Sequence, residues 1–126
     1  MSSANDIVLF HNQDITPDTF AAPAERQLSG SCLQAVEMHY SDPTGQFHAG
    51  LWSGGVGAWR VKYTECEFCT LLEGYVRMHG DDGSMIEIRA GQHFVIPAGF
   101  EGVWEVIEPA RKTFAVFEED RLARKD

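Results

Sequence analysis

The sequence predicts an all-β fold in which short strands roll into a jelly-roll barrel, a double-stranded β-helix. Apolar runs of about four to eight residues, broken by Gly, Pro or Asp, recur along most of the chain. β-Branched and aromatic residues fill those runs, and no segment keeps a sustained helical period. About ten strands in so short a chain must hide their edges. Rolling the sheet closed does so and encloses a cavity.

The expected strands follow in order. IVLF (7–10) is the first run, and CLQAVEMHY (32–40) is ended by the turn-forming SDPTG. FHAGLW (47–52) leads through SGGVG to AWRVKY (58–63). FCTLL (68–72) meets Glu73 and Gly74, YVRMH (75–79) meets GDDG, and SMIEIR (84–89) meets Ala90 and Gly91. HFVIP (93–97), VWEVI (103–107) and RKTFAVFE (111–118) close the series. The Gly80–Gly83 turn is the strongest hairpin signal, because glycine accepts the positive φ that tight turns need. Residues 16–30, with two prolines, are expected to hold a helical turn, and the charged end EEDRLARKD a short helix or frayed tail.

Length and charge bound the rest. The 126 residues suit one domain, with N-terminal strands or an extension over 1–45, a barrel core over 46–118 and a tail over 119–126. Hydrophobic residues at 44% supply a packed core. A net charge of -9 repels phosphate backbones and anionic membranes, so neither nucleic acid nor membrane is an expected partner. Three cysteines without a basic, apolar leader point to a reducing compartment, with the cytoplasm as default.

Two motifs resemble those of the cupin superfamily. Gly91, Pro97 and Gly99 fit the second cupin motif, whose closing histidine position holds Gly102. Gly55, Glu67 and Gly74 fit the first, with Val61 and Tyr63 at its two histidine positions. From Leu51 to Phe117 the chain is similar to small single-domain cupins grouped with the (S)-ureidoglycine aminohydrolase cupin domain. The resemblance is carried by Trp52, Tyr63, Glu67, Pro97 to Phe100, Trp104 to Val106, Arg111 and Lys112. It implies a double-stranded β-helix, usually a homodimer. In the aminohydrolases it also implies a metal held by a Glu and histidines.

A transition metal needs three or four converging ligands. At the motif positions this chain offers only Glu67 and the neutral phenol of Tyr63, so no metal and no cofactor is expected. No two of His11, His39, His48, His79 and His93 have metal-ligand spacing, although separate strands leave open a substitute site using His48 or His93. Cys66 and Cys69 form a CxxC. With Cys66 in a turn, Cys69 in the next strand and no helix N-terminus to activate either, they read as plain thiols.

What remains is a polar set in an aromatic cup. Tyr63, Glu67 and Lys112 are the candidate catalytic residues, and Trp104, Trp52 and Glu65 the candidate ligand-binding residues. Trp104 lies two residues beyond Gly102, so strand alternation points both positions to one side. Glu67 suits a general base, with Tyr63 or Lys112 as donor or acid. The expected function is binding, or acid–base turnover, of a small nitrogen-containing or carboxylated metabolite. The alternatives are a metal-dependent aminohydrolase-like enzyme and a non-catalytic sensor or accessory protein. A purely structural reading makes Glu67 and Lys112 a buried ion pair capped by Tyr63. IVLF is the candidate edge for the homodimer.

Overall fold

The computed structural model describes residues 1–119, the side chain of Asn12 apart. The tail beyond Glu119 lies outside the described residues. Nine antiparallel strands form one curled sheet: β1 (Asp18–Ala21), β2 (Gln27–Gly30), β3 (Leu33–Ser41), β4 (Phe47–Gly54), β5 (Gly57–Lys62), β6 (Cys66–Gly80), β7 (Met85–Arg89), β8 (His93–Ile96) and β9 (Glu101–Phe117). The helical content of the described residues is three single 3-10 turns, at Ala4–Asp6, Phe10–Asn12 and Ala24–Arg26. The fold is the all-β double-stranded β-helix expected.

Two long strands make the barrel. β6 and β9 pair with each other along most of their length. The N-terminal half of β6 carries β8 on its other edge, and the C-terminal half carries β7. Likewise β9 holds β5 against its first half and β4 against its second. Each long strand therefore passes from one layer of the barrel to the other.

The corner lies at Gly74, where the β6–β9 register shifts repeatedly between Leu71 and Val76. Gly74 has φ +93, and a Cβ there would stand 2.4 Å from the Pro109 carbonyl oxygen, so only glycine fits. Extra residues at a bulge change the phase of alternation. Glu67, Cys69 and Leu71 point inward before the corner, and Val76 and Met78 after it. The turn residues at Glu73–Gly74 and Glu108–Ala110 had divided each long strand into two runs. The chain bends at these points without leaving the ladder.

The sheet order β1-β3-β4-β9-β5-β2 puts two consecutive strands at opposite ends. The sheet curls until β1 and β2 are bridged by the short segment from Ala22 to Arg26, which closes over one mouth of the barrel. The helical turn expected within 16–30 is thus the single turn Ala24–Arg26, flanked by short strands that cap both edges. Beyond it Gly30 and Cys32 both take positive φ, at 72 and 52. The Cys32 thiol there donates to the Ser29 carbonyl at 3.2 Å.

The run IVLF does not form a strand. Ile7 and Leu9 are exposed, and the segment is bracketed by 3-10 turns, the first capped reciprocally by Ser3 and Asp6. It is held by side chains instead. Phe10 stacks on His39 at 4.3 Å between ring centroids, and the His39 Nδ1 hydrogen-bonds the Gln13 amide oxygen at 2.7 Å. The core inside the barrel gathers Trp52, Trp59, Leu71, Val76, Trp104 and Val106 with their neighbours. No helix among the described residues is long and apolar enough to cross a membrane.

Candidate functional site

A cavity of about 300 Å³ opens beneath the bridging segment. All six residues nominated from sequence border it: Tyr63, Glu65, Glu67, Trp52, Trp104 and Lys112. Register explains the convergence. Lys112 on β9 pairs with Trp52 on β4 at one side and with Leu71 on β6 at the other. Trp104, in the other layer, pairs with Trp59 on β5. Tyr63 follows the end of β5, where its backbone N–H donates to the Phe100 carbonyl at 2.9 Å.

The Lys112 ammonium stands 3.0 Å from the Glu67 carboxylate, and both side chains are almost wholly buried. It also lies 4.7 Å from the centre of the Trp104 ring and 5.1 Å from that of Trp52, within cation–π range. The two indoles meet edge to face at 5.5 Å. The Trp52 Nε1 donates to the Gln34 amide oxygen at 3.0 Å. The Trp104 Nε1 is buried and has no acceptor among the described residues.

Burial and neighbouring charge fix the protonation of the site. Burial by itself would lower the Lys112 ammonium, but the Glu67 carboxylate reverses this and holds it above its ordinary value. The Tyr63 phenol is pushed well above its usual range, first by burial and then by Glu67, with Lys112 opposing. The Cys69 thiol, beside the same pair, is pushed up to about 12 by burial, with Lys112 opposing and Glu67 reinforcing. At neutral pH the cluster therefore presents an ammonium, a phenol and a thiol around one carboxylate.

The donor set does not suit the metal that cupins commonly hold. Val61 and Gly102, at two of the expected histidine positions, are register partners on β5 and β9. A Cβ at Gly102 would stand 2.0 Å from the His79 carbonyl oxygen, so the backbone leaves no room for an imidazole there. Among the described residues no group of three or more His, Cys, Asp and Glu converges as a metal ion requires. Nor do the candidate substitutes reach the cavity. His48 bonds Ser41 at 2.7 Å and the Gly45 carbonyl at 3.0 Å. His93 bonds Thr70 at 2.8 Å and stacks on the exposed Phe68.

Other residues in and around the cavity were missed or misplaced from sequence. Cys69 lies against the ion pair, although alternation from the inward Glu67 already places residue 69 on the same side. Cys66 starts β6 rather than occupying a turn. Gln34 and Arg26 also border the cavity. Arg26 sits in the bridging segment, and no local pattern could have aimed it there.

The chain's relatives agree with this architecture. A family model described as an EutQ-like cupin domain matches residues 41–114. The EutQ protein of Clostridium difficile superposes with a TM-score of 0.62 at 14% identity, covering 74% of this chain and 68% of that one. A putative ethanolamine utilization protein Q from Salmonella typhimurium gives 0.63 at 14% identity, over 86% of this chain and 100% of that one. A DUF861-family protein of unknown function from Pseudomonas syringae gives 0.70 at 20% identity, over 82% of this chain. The match spans only 44% of that last protein's length. These likenesses show the fold. No curated protein matches the chain in sequence.

Proposed function

The chain belongs to the EutQ-like cupin domain family, and on that premise we propose that it is a small-molecule-binding cupin without the usual metal. Its ligand is a compact nitrogen-containing or carboxylated metabolite. The observation that carries this reading is the buried Glu67–Lys112 pair, 3.0 Å apart, in the wall of an open cavity. Two desolvated charges are costly to maintain. Here they stand beside the Tyr63 phenol and an indole N–H, that of Trp104, which has no hydrogen-bond partner among the described residues.

Within the family, Trp52, Tyr63, Glu67, Trp104 and Lys112 favour kinship with the small cupins of the (S)-ureidoglycine aminohydrolase type. The metal chemistry of that type does not carry over, because Val61, Tyr63 and Gly102 replace its histidines. Acid–base chemistry can proceed without it. Glu67 accepts a proton from the ligand or from water, and Tyr63 or the Lys112 ammonium donates where negative charge develops. Lys112 stays charged, so it acts as a donor and an electrostatic stabiliser, not as an imine-forming amine. The chain acts as a homodimer free in aqueous solution in the cytoplasm.

Tyr63→Phe tests the site with little disturbance of packing. Loss of a hydrogen bond to the ligand should weaken binding by about 1–3 kcal/mol in calorimetry. Affinity unchanged by both Tyr63→Phe and Glu67→Gln would refute the reading. A ligand that binds and persists through long incubation would identify a sensor or accessory protein.

A further inference from the structure

The cavity wall carries several hydrogen-bond donors that lack acceptors. The Trp104 Nε1 has no acceptor although its residue is only 2% exposed. Gln34 spends its amide oxygen on Trp52, leaving its NH₂ group as the free end. The Tyr63 hydroxyl stays protonated. Of the two carboxylates bordering the space, Glu67 is engaged by Lys112, whereas Glu65 shares the single Thr64 hydroxyl proton with Glu118, at 3.0 and 2.6 Å, and keeps acceptor capacity. A ligand that satisfies such a wall must itself supply acceptors.

The charges narrow this further. The chain is strongly acidic, yet four of the seven Lys and Arg residues within 1–119 border this one space: Arg26, Arg60, Lys62 and Lys112. Arg60 is tied to Asp81 at 2.8 Å, Lys62 to Glu101 at 3.4 Å and Lys112 to Glu67. Arg26 alone of the four has no carboxylate partner among the described residues. It is partly buried, and its backbone is fixed by the 3-10 turn Ala24–Arg26, where its N–H donates to the Pro23 carbonyl at 2.8 Å. A guanidinium offers five N–H donors in a planar fork suited to a carboxylate.

We infer that the cavity takes a compact organic carboxylate, its carboxylate group held by Arg26 and its body lying among the indoles of Trp52, Trp59 and Trp104. This rests on the cavity being a ligand site, as proposed above, and adds the charge and anchor of the ligand. A single unpaired guanidinium over aromatic walls suits a monoanion, whereas a dianionic phosphate ester calls for a second free cation. At about 300 Å³ the space stands at the small end for ligand pockets, which run from ~300 to ~1,000 Å³.

The test is isothermal titration of the whole chain with benzoate, benzamide and phenyl phosphate, using wild type, Arg26→Gln, Arg26→Lys and Tyr63→Phe. Wild type should bind benzoate at least about tenfold more tightly than benzamide, the difference a charged hydrogen bond supplies. Arg26→Gln should abolish that preference, and Arg26→Lys should restore part of it. Arg26 lies outside the sheet, so Arg26→Gln is expected to fold, and an unchanged melting temperature verifies this. Benzoate binding that depends on Tyr63 but not on Arg26 overturns the anchor and leaves the site standing. Tighter binding of phenyl phosphate than of benzoate overturns the carboxylate class. Binding of none of the three probes, or binding indifferent to both residues, removes the inference; only the second also counts against the site.

Discussion

The Lys112 ammonium reaches the Glu67 carboxylate at 3.0 Å although the two residues are four positions out of register on β6 and β9. Lys112 pairs with Leu71, and Glu67 pairs with Val116, so the lysine leans along the strands past Cys69. The contact places the ammonium over both Trp52 and Trp104. Lys112, Glu67 and Cys69 consequently behave as one electrostatic unit.

Removing one partner of this pair strands the other as a buried charge. Lys112→Met or Glu67→Gln alone should cost about 3–5 kcal/mol in urea denaturation. Replacing both with apolar residues of similar volume should recover most of that loss, while ligand binding stays absent. A double variant as unstable as the worse single one would show that the pair itself holds the barrel together.

Cys69 makes the fold sensitive to alkali. Its thiol moves from an ordinary value of 9.0 to about 12 in the fold. Below pH 9 both states keep the proton and the contribution is complete. Between about pH 9 and pH 12 the unfolded chain releases a proton that the fold retains, so stability falls as pH rises. The raised Tyr63 and Lys112 act in the same direction at higher pH. The urea midpoint under reducing conditions should therefore decline above pH 9, and less steeply in Cys69→Ala. Equal slopes would show that the thiol is not held protonated.

Restoring the cupin histidine should fail. In Gly102→His the new Cβ meets the His79 carbonyl at 2.0 Å, which forces β9 away from β6. Overpacking of this kind costs typically about 1–3 kcal/mol, and more where backbone is the obstacle. The melting temperature should drop without any gain in zinc or manganese affinity in calorimetry. Tight metal binding by this variant would mean the backbone yields more readily than its packing indicates.

The proposed homodimer should use an outer face of the sheet. Strand register lines up Tyr40, Ala49, Ala115, Phe68 and Val95 across β3, β4, β9, β6 and β8, with Phe47 beside Phe117 in the next row. Phe68 is 50% and Val95 63% exposed, and these rows carry no charged side chain. Two copies of a chain with net charge -9 can meet there without opposing carboxylates. Phe68→Asp should convert a dimer to a monomer in light scattering. A dimer indifferent to that change uses another surface.

The strands were legible because apolar runs and turn residues alternate along the chain, and the unusual site because motif spacing isolates Val61, Tyr63 and Gly102. Other features depend on distant pairing. The residues at Gly74 and Pro109 read as chain reversals, yet a bulge lets β6 and β9 turn a barrel corner together. IVLF has strand composition yet pairs with no strand among the described residues, and Phe10 stacks on His39 instead. Arg26 borders the cavity because it lies in the segment that joins β1 to β2, strands at opposite ends of the sheet order.

An ion pair and a phenol stand where many cupins cradle a cation. Elemental analysis by mass spectrometry of untagged protein, purified without chelators, tests it most directly. Transition metal well below one ion per chain is expected. One manganese, iron, nickel or zinc per chain, lost together with Glu67 in Glu67→Gln, would contradict it.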